Sequence, residues 1–236
     1  MTLETVPYTH GATALTGRLA TPPGTPRGAV VVFPNIANHS PAFDRRATML
    51  AEASYVAMVA DFYGTHPGDS MEEIFAVAGA LRADVDHYRA RLAAGVAALR
   101  DHPAAAGLPM AAIGFCMGGQ AVLELARHGA DLAVVASFHG LLDSDRPATA
   151  ATPIATRILV CHGDKDPMVP RTQVAAFEEE MDAAGADWHL HVYARAKHGF
   201  TDPASDSRGM PAIAYDASAD RQSWAALLSL FDEVFD

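Results

Sequence analysis

Cys116 stands in the segment GFCMG, Gly114 to Gly118, which follows an apolar run and opens a helix-like run. A glycine two residues to either side of a nucleophile is typical of a nucleophile elbow, a sharp strand-to-helix turn on which larger side chains would clash. Such a turn places the Met117 N–H at a helix N-terminus, where it can donate to an oxyanion, and the helix end favours a thiolate. The alternative is a packed cysteine at a tight turn. We interpret Cys116 as a nucleophile and Met117 as an oxyanion-hole donor.

A cysteine nucleophile needs a general base and a group that orients the base. His198, in AKHGF, and Asp166, in HGDKDPMVP, each follow a run that predicts a strand. Asp164 lies in the same loop, and an aspartate there can also be an ordinary turn or N-cap residue; we prefer Asp166 because it lies nearer the next helix. The chain order nucleophile, acid, histidine is typical of α/β-hydrolases. The pattern therefore predicts a Cys116–His198–Asp166 triad.

Three other residues are candidates for the same site. The loop FPNIANHS follows an early apolar run, and such a loop is the usual source of a second oxyanion donor; we assign that role to the backbone N–H of Ile36. Asn35 beside it is a candidate substrate contact. His139, in SFHG, could line the pocket as a second substrate contact, or it could be a satisfied histidine at the end of a strand.

Composition excludes several classes of partner and site. Acidic residues outnumber basic ones 28 to 17 in 236 residues, for a formal charge of -11, which argues against nucleic acid or an anionic membrane as partner. The eleven histidines show no paired ligand spacing such as HExxH, so we expect no metal. Two cysteines do not form a disulfide framework, and Cys161 ends a core strand, where packing is its expected role.

The sequence also gives expectations for the cellular location, the substrate and the oligomeric state of the protein. No signal peptide and no apolar stretch of the roughly 18–20 residues that span a bilayer is visible, which favours a cytoplasmic protein. We expect a small-molecule substrate and a monomer or homodimer.

Strand and helix patterns alternate along the chain, which predicts an α/β fold with a mostly parallel central sheet and helices on both faces. We expect a single α/β-hydrolase domain over residues 1–236. The polar segment 201–220 is either a flap over the site or a surface loop. An edge strand is predicted at 14–20, and further strands at 29–33, 55–60, 109–114, 132–138, 157–163 and 188–193. Helices are predicted at 43–53, 71–101, 117–128, 172–184 and 218–235. The region 71–101 is one helix or two, and Gly185 is the expected C-cap of the helix at 172–184.

The segments GFCMGG, HGDKDPMVP, KHGF and VVVFPNIANHS…MLAEASYVAMVADFYG together resemble the dienelactone hydrolase family, from about residue 11 to 235. The resemblance implies a single-domain α/β-hydrolase with a Cys-His-Asp triad and no cofactor. It implies Cys116 as nucleophile, His198 as base and Asp166 as orienter, with the N–H groups of Ile36 and Met117 as the oxyanion hole.

The chain departs from the founding members of that family, which open an unsaturated lactone, at two points. Those members carry a glutamate close to the thiol, where this sequence has Asn35, and an arginine shortly after the histidine, where it reads HGFTDP. Activation of the thiol would then fall to His198 and the helix end, and an anionic dienelactone is less favoured as substrate. Arg82, Arg89 and Arg91 could supply another anion contact, but we expect each to be a solvated helix residue.

The leading hypothesis is a hydrolase that cleaves a small carboxylic ester or lactone through a thioester acyl-enzyme. A thioesterase or acyltransferase would use the same three residues with a different substrate or acceptor. A hypothesis of another class is a non-catalytic or redox-sensing protein that keeps the fold.

Overall fold

The structure is a computed structural model of the chain and describes residues 3–235. Its internal contacts divide the chain into two compact units, one ending at Ala112 and one beginning at Ile113. The strands are β1 (Glu4–His10), β2 (Thr13–Ala20), β3 (Gly28–Phe33), β4 (Tyr55–Val59), β5 (Met110–Phe115), β6 (Val134–Phe138), β7 (Arg157–Gly163) and β8 (Trp188–Tyr193), and the α-helices are α1 (Pro41–Glu52), α2 (Met71–Arg82), α3 (Val85–Arg100), α4 (Met117–Arg127), α5 (Arg171–Ala183) and α6 (Ala217–Phe235).

The eight strands are ordered β1-β2-β4-β3-β5-β6-β7-β8, and the division between the two units falls within β5. β2 is antiparallel to β1 and to β4, whereas β3 with β4, β6 with β7 and β7 with β8 are parallel. This arrangement is the mostly parallel α/β fold that the alternation of strands and helices predicted.

Continuous apolar runs form the core strands of both units. Every residue of β3, β4, β5 and β6 is buried, as expected for strands covered on both faces. The predicted helical region 71–101 is two helices, because the Asp84 side chain accepts from the backbone N–H groups of Asp86 (3.0 Å) and His87 (3.1 Å) and so begins α3. Gly185 follows α5 with φ 65°, the left-handed conformation of a helix end.

The N-terminal edge of the sheet differs from the prediction. β2 is an internal strand between β1 and β4, so the expectation of an edge strand at 14–20 was wrong. The edge is β1, which the sequence did not reveal because Val6 is its one buried residue and Pro7 interrupts the run. A strand with so little buried apolar surface has almost no hydrophobic pattern to detect.

Two arginines of α3 are also placed differently from the prediction. Arg89 and Arg91 are buried, with exposed fractions of 4% and 6%, rather than solvated. Arg91 donates to His10 Nδ1 (2.9 Å), to the Phe62 carbonyl (2.8 Å) and to Thr13 Oγ1 (3.0 Å). Burial lowers the pKa of Arg91 from its ordinary value. Arg91 therefore joins α3 to the ends of β1 and β2 as a structural cation.

None of the helices within residues 3–235 is long and apolar enough to cross a membrane. The same part of the chain contains no cluster of three or more His, Cys, Asp or Glu side chains that could hold a metal ion.

Candidate active site

Cys116 lies at the tip of the turn between β5 and α4, in a backbone conformation that L-residues rarely adopt. Its φ is 56° and its ψ −115°, and the residue caps the N-terminus of α4. A Cβ atom at Gly114 would collide with the Gly118 carbonyl, and one at Gly119 would lie 2.8 Å from the Cα of Gly140. These close approaches explain Gly114 and Gly119 and give the turn the form of a nucleophile elbow.

The two cysteines have different surroundings. Cys116 is partly exposed, whereas Cys161 in β7 is fully buried. Burial raises the pKa of the Cys161 thiol to about 12, although a hydrogen bond with Tyr193 acts in the opposite direction. Cys161 is therefore a core residue, in the packing role that its position in an apolar run indicated.

Asp166 and His198 are in direct contact. His198 Nδ1 donates to Asp166 Oδ2 over 2.7 Å, and both side chains are almost fully buried. The second carboxylate oxygen of Asp166 accepts from the backbone N–H of Met168 (2.9 Å), which fixes the carboxylate in its loop after β7. A carboxylate at Nδ1 sets the tautomer of the imidazole and leaves Nε2 as the nitrogen that can exchange a proton with a substrate or a nucleophile.

Asp164, the other acidic residue of this loop, has different partners. Arg171 donates to both of its oxygens, at 2.7 and 2.9 Å, and Lys165 donates to one of them at 3.1 Å. The hydrogen bond from Arg171, followed by that from Lys165, holds the pKa of Asp164 well below its ordinary value. The structure thus separates the two aspartates: cations bind Asp164, and Asp166 faces the histidine.

The protonation of His198 is governed by opposing effects. Burial lowers its pKa, but the negative charge of Cys116 and the hydrogen bond that His198 donates to Asp166 outweigh that effect and raise the pKa from 6.5 to about 10. The charge of Cys116 and a hydrogen bond with its side chain both raise the pKa of His198, and the charge has the larger effect, although the contact of the buried Nε2 falls short of full hydrogen-bond geometry. Hydrogen bonds between a general base and a nucleophile are often long before substrate binds. The raised pKa keeps the His198 ring charged at neutral pH, next to Cys116.

The polar segment after His198 binds back onto the histidine loop. The backbone N–H of His198 donates to the Ala212 carbonyl (3.2 Å), and the His198 carbonyl accepts from Ala214 (3.2 Å). Ser205, within a short 3-10 helix at Pro203–Arg208, donates through Oγ to the Gly199 carbonyl (2.8 Å). Residues 206–209 of the segment are exposed, as in the surface loop that the sequence left open, and its hydrogen bonds fix the backbone of the histidine loop; a flap over the site remains a prediction.

His139 lies next to the elbow and is almost fully buried, with 4% of its surface exposed. Its Nδ1 is 3.1 Å from the backbone N of Cys116, and its Nε2 is 2.9 Å from Thr201 Oγ1. Both ring nitrogens therefore bond to protein groups, as in the satisfied histidine that the sequence offered as the alternative, and a substrate contact at His139 remains a prediction. Sequence analysis missed Thr201 because its partner lies 62 positions away along the chain.

Hydrogen bonds also hold the loop that carries Asn35 and Ile36, within the first unit. The Asn35 side chain accepts from the N–H of Ala37 (3.0 Å), and its carbonyl accepts from Asn38 (2.9 Å). The Tyr63 hydroxyl donates to the Ile36 carbonyl (3.0 Å). Asn35 thus has a role within its own turn, and a substrate contact there remains a prediction.

A second layer attaches this loop to the end of β4. Asn38, at φ 66°, donates through Nδ2 to Asp61 Oδ1 (2.8 Å) and accepts through Oδ1 from the N–H of Phe62 (3.1 Å). Asp61 also accepts from the backbone N–H groups of Tyr63 and Gly64, each at 2.9 Å. Sequence analysis did not single out Asp61 or Tyr63, because their role depends on hydrogen bonds to backbone groups of distant loops.

Residues 15–235 match the dienelactone hydrolase family. The chain belongs to that family. Its fold is the α/β-hydrolase fold, and it is a dienelactone hydrolase-like hydrolase, as the resemblance of the elbow, acid and histidine segments implied.

Three relatives illustrate the family's range. A dienelactone hydrolase-like promiscuous phosphotriesterase from metagenomic libraries is 37% identical, with a TM-score of 0.93 over 100% of this chain and 99% of that one. A probable 2-oxo-3-(5-oxofuran-2-ylidene)propanoate lactonase of Bradyrhizobium is 28% identical over 76% of this chain and 75% of its own. An uncharacterized protein of Caenorhabditis elegans is 37% identical over 61% of this chain and 92% of its own.

Proposed function

We propose that this dienelactone hydrolase family member cleaves a small carboxylic ester or lactone through a thioester acyl-enzyme. Cys116 is the nucleophile, His198 the general base and acid, and Asp166 the residue that orients His198. The observation that carries the proposal is the buried 2.7 Å hydrogen bond between Asp166 and His198, whose ring bears the charge influence of Cys116. Few arrangements other than nucleophilic catalysis need these three groups together.

In the first half of the reaction the Cys116 thiolate attacks the carbonyl carbon and forms a C–S bond, and the carbonyl oxygen becomes an oxyanion. The N–H of Met117 is the proposed donor to that oxyanion, because Met117 begins α4 and the N-terminus of a helix favours negative charge. The sequence prediction that Ile36 provides a second donor remains a proposal. The C–O bond then breaks, and His198 Nε2–H protonates the leaving alkoxide.

The second half of the reaction regenerates the enzyme. His198, now neutral, takes a proton from water, and the hydroxide adds to the thioester carbonyl. The C–S bond breaks, the carboxylic acid is released, and Cys116 returns as a thiolate beside the imidazolium. Asp166 stabilises the imidazolium in both halves of the reaction and does not itself become protonated.

The departures from the founding members favour a lactone or an uncharged ester over an anionic substrate. The Bradyrhizobium relative is named as a lactonase, whereas this chain has Asn35 and Thr201 near the positions of the glutamate and arginine that founding members use with an anionic lactone. Because the metagenomic relative is named a promiscuous phosphotriesterase, an aryl phosphotriester is a second electrophile worth testing with the same thiolate.

The test is pre-steady-state hydrolysis of p-nitrophenyl acetate. Wild-type enzyme should release a burst of about one p-nitrophenol per active site before steady turnover, and Cys116→Ala should show neither phase. Cys161→Ala is the matched control and should keep the burst, because that thiol is buried and bonds to Tyr193 rather than to Asp166 or His198. Full turnover by Cys116→Ala would refute the proposal. Product analysis with a simple alcohol as added acceptor separates hydrolysis from acyl transfer, since a transferase would form the new ester in preference to the acid.

A further inference from the structure

The backbone N–H of Cys116 donates to two acceptors at once. One is the Phe138 carbonyl (3.0 Å) and the other is His139 Nδ1 (3.1 Å). A backbone N–H can only donate, so Nδ1 of His139 must carry a lone pair and the ring proton must lie on Nε2. That Nε2–H then donates to Thr201 Oγ1 over 2.9 Å. The hydrogen-bond directions therefore define a neutral His139 in one tautomer, connecting Thr201 to the backbone of Cys116.

This hydrogen bond joins two residues in unfavourable backbone conformations. Cys116 has φ 56° and His139 has φ 42°, and both are L-residues in the left-handed region. Such conformations persist only where surrounding contacts determine them. The bond from Cys116 N–H to the ring of His139 is one of those contacts, and it fixes the direction in which the Cys116 side chain leaves the elbow.

The turn that carries His139 lies directly against the start of α4. A Cβ atom at Gly140 would lie 2.6 Å from the backbone carbon of Gly119 and 2.7 Å from the backbone N of Gln120. The backbone N–H of His139 donates to the Cys161 carbonyl (2.9 Å), which anchors the turn to β7. Because neither side has room to shift, the His139 ring is held at a fixed distance from the elbow.

The same ring contacts the proposed general base. The centroids of the His139 and His198 rings are 5.2 Å apart at an interplanar angle of 67°, so the rings meet edge to face. Thr201 lies three residues after His198 in the same loop. His139 thus touches the nucleophile's backbone on one side and the base's imidazole on the other, with Thr201 holding it from the loop of the base.

We propose that His139, oriented by Thr201, is a positioning residue that holds the Cys116 elbow and the His198 ring in the geometry needed for acylation. This inference rests on the proposed function, since it assigns roles relative to Cys116 and His198. It predicts that the Nδ1 acceptor matters more than the volume of the side chain.

Two amide substitutions separate these effects. In His139→Asn the side-chain oxygen can occupy the position of Nδ1 and accept from Cys116, and asparagine tolerates a positive φ. In His139→Gln the amide fills more of the space but lies near Nε2, so the Cys116 N–H loses this acceptor. A residue that acts only by packing would be replaced better by glutamine; a positioning residue would be replaced better by asparagine.

The measurement is the burst rate constant with p-nitrophenyl acetate, taken well below the thermal midpoint of each variant. We expect His139→Gln to slow acylation about 10- to 100-fold with little change in the apparent affinity for the ester, since small misplacements of reacting groups have effects of that size. His139→Asn keeps the acceptor for Cys116 but loses the bond to Thr201, so it should slow the burst only several-fold. Equal burst rate constants in the two variants, or a slower His139→Asn, would overturn the proposal.

Thr201 provides an independent pair if a His139 variant fails to fold. Thr201→Val removes the acceptor for Nε2–H and should slow the burst several-fold, whereas Thr201→Ser keeps the hydroxyl and should restore it. A Thr201→Val enzyme with the wild-type burst would contradict the role of Thr201 in orienting His139. If Cys116→Ala loses its burst while all four variants keep theirs, this inference fails and the proposed function stands; if Cys116→Ala keeps full activity, the proposed function itself fails.

Discussion

His198 Nδ1 donates to Asp166 Oδ2 over 2.7 Å in a buried environment, while Asp164, two residues earlier, is bound by Arg171 and Lys165. The two aspartates share one loop and one side-chain type, yet only one of them faces the histidine. This difference provides a matched comparison for the role of the acid, because the same substitution at either position removes one carboxylate charge from the same loop.

Asp166→Asn should lower kcat for an aryl ester by about 10²- to 10⁴-fold, because an amide cannot hold the imidazole in its working tautomer or support its positive charge. Asp164→Asn should stay within about twofold of wild type, as expected for an exposed ion pair. Steady-state kinetics of the two variants test this. Equal effects at the two positions would contradict the assignment of Asp166.

The raised pKa of His198 predicts an unusual pH profile. Because its folded-state pKa is about 10 rather than 6.5, the imidazolium form should persist through neutral pH, and kcat/KM should decline only as pH approaches about 10. The raised pKa of His198 also stabilises the folded protein at low pH. This stabilisation is complete below about pH 6.5 and is lost as pH rises through about 10. Asp166→Asn should move the alkaline limb to lower pH. An alkaline limb of kcat/KM near pH 6.5 in the wild-type enzyme would argue against a charged His198 beside Cys116.

The two thiols should differ sharply toward alkylating agents. Cys116 is partly exposed, whereas burial raises the pKa of Cys161 to about 12 and shields it from solvent. Iodoacetamide should therefore modify one cysteine in the folded protein, and a second only after denaturation. Peptide mass mapping identifies the modified residue. Rapid labelling of Cys161 in the native state would show that its strand opens more readily than its burial indicates.

Tyr63→Phe tests the loop of the proposed second oxyanion donor. The substitution removes the 3.0 Å hydrogen bond to the Ile36 carbonyl and leaves the ring in place. If Ile36 is a donor, kcat should fall about tenfold, less than the 10²- to 10³-fold that loss of a whole donor costs. Tyr215→Phe, which removes a hydroxyl that bonds Asp220 at 3.3 Å, is the control and should have little effect. A Tyr63→Phe enzyme as active as the control would argue against Ile36 as an oxyanion donor.

The sequence predicted much of the fold and of the candidate site for reasons that are local. Continuous apolar runs identified β3 to β7, and the glycines around Cys116 identified a turn that only small neighbours permit. Candidates for the acid and the base could be found because parallel strands bring their carboxyl ends to one edge of the sheet. The structure brings Asp166 and His198, predicted in this way, into contact.

The features that the sequence did not reveal depend on long-range contacts. β1 has one buried residue and so no detectable pattern. Arg91 was expected in solvent because its helix position says nothing of His10 and Thr13, which bind it across 81 and 78 positions. The same reason hid the bond between His139 and Thr201, since no local rule predicts a left-handed histidine at the end of β6.

The most direct test of the central claim is to isolate the acyl-enzyme. Wild-type protein mixed with p-nitrophenyl acetate and quenched in acid within the burst should gain the mass of one acetyl group, and peptide mapping should place it on Cys116 as a hydroxylamine-labile thioester. Cys161→Ala should give the same adduct and Cys116→Ala should give none. Acylation of another residue, or turnover with no adduct on Cys116 at any quench time, would contradict the account.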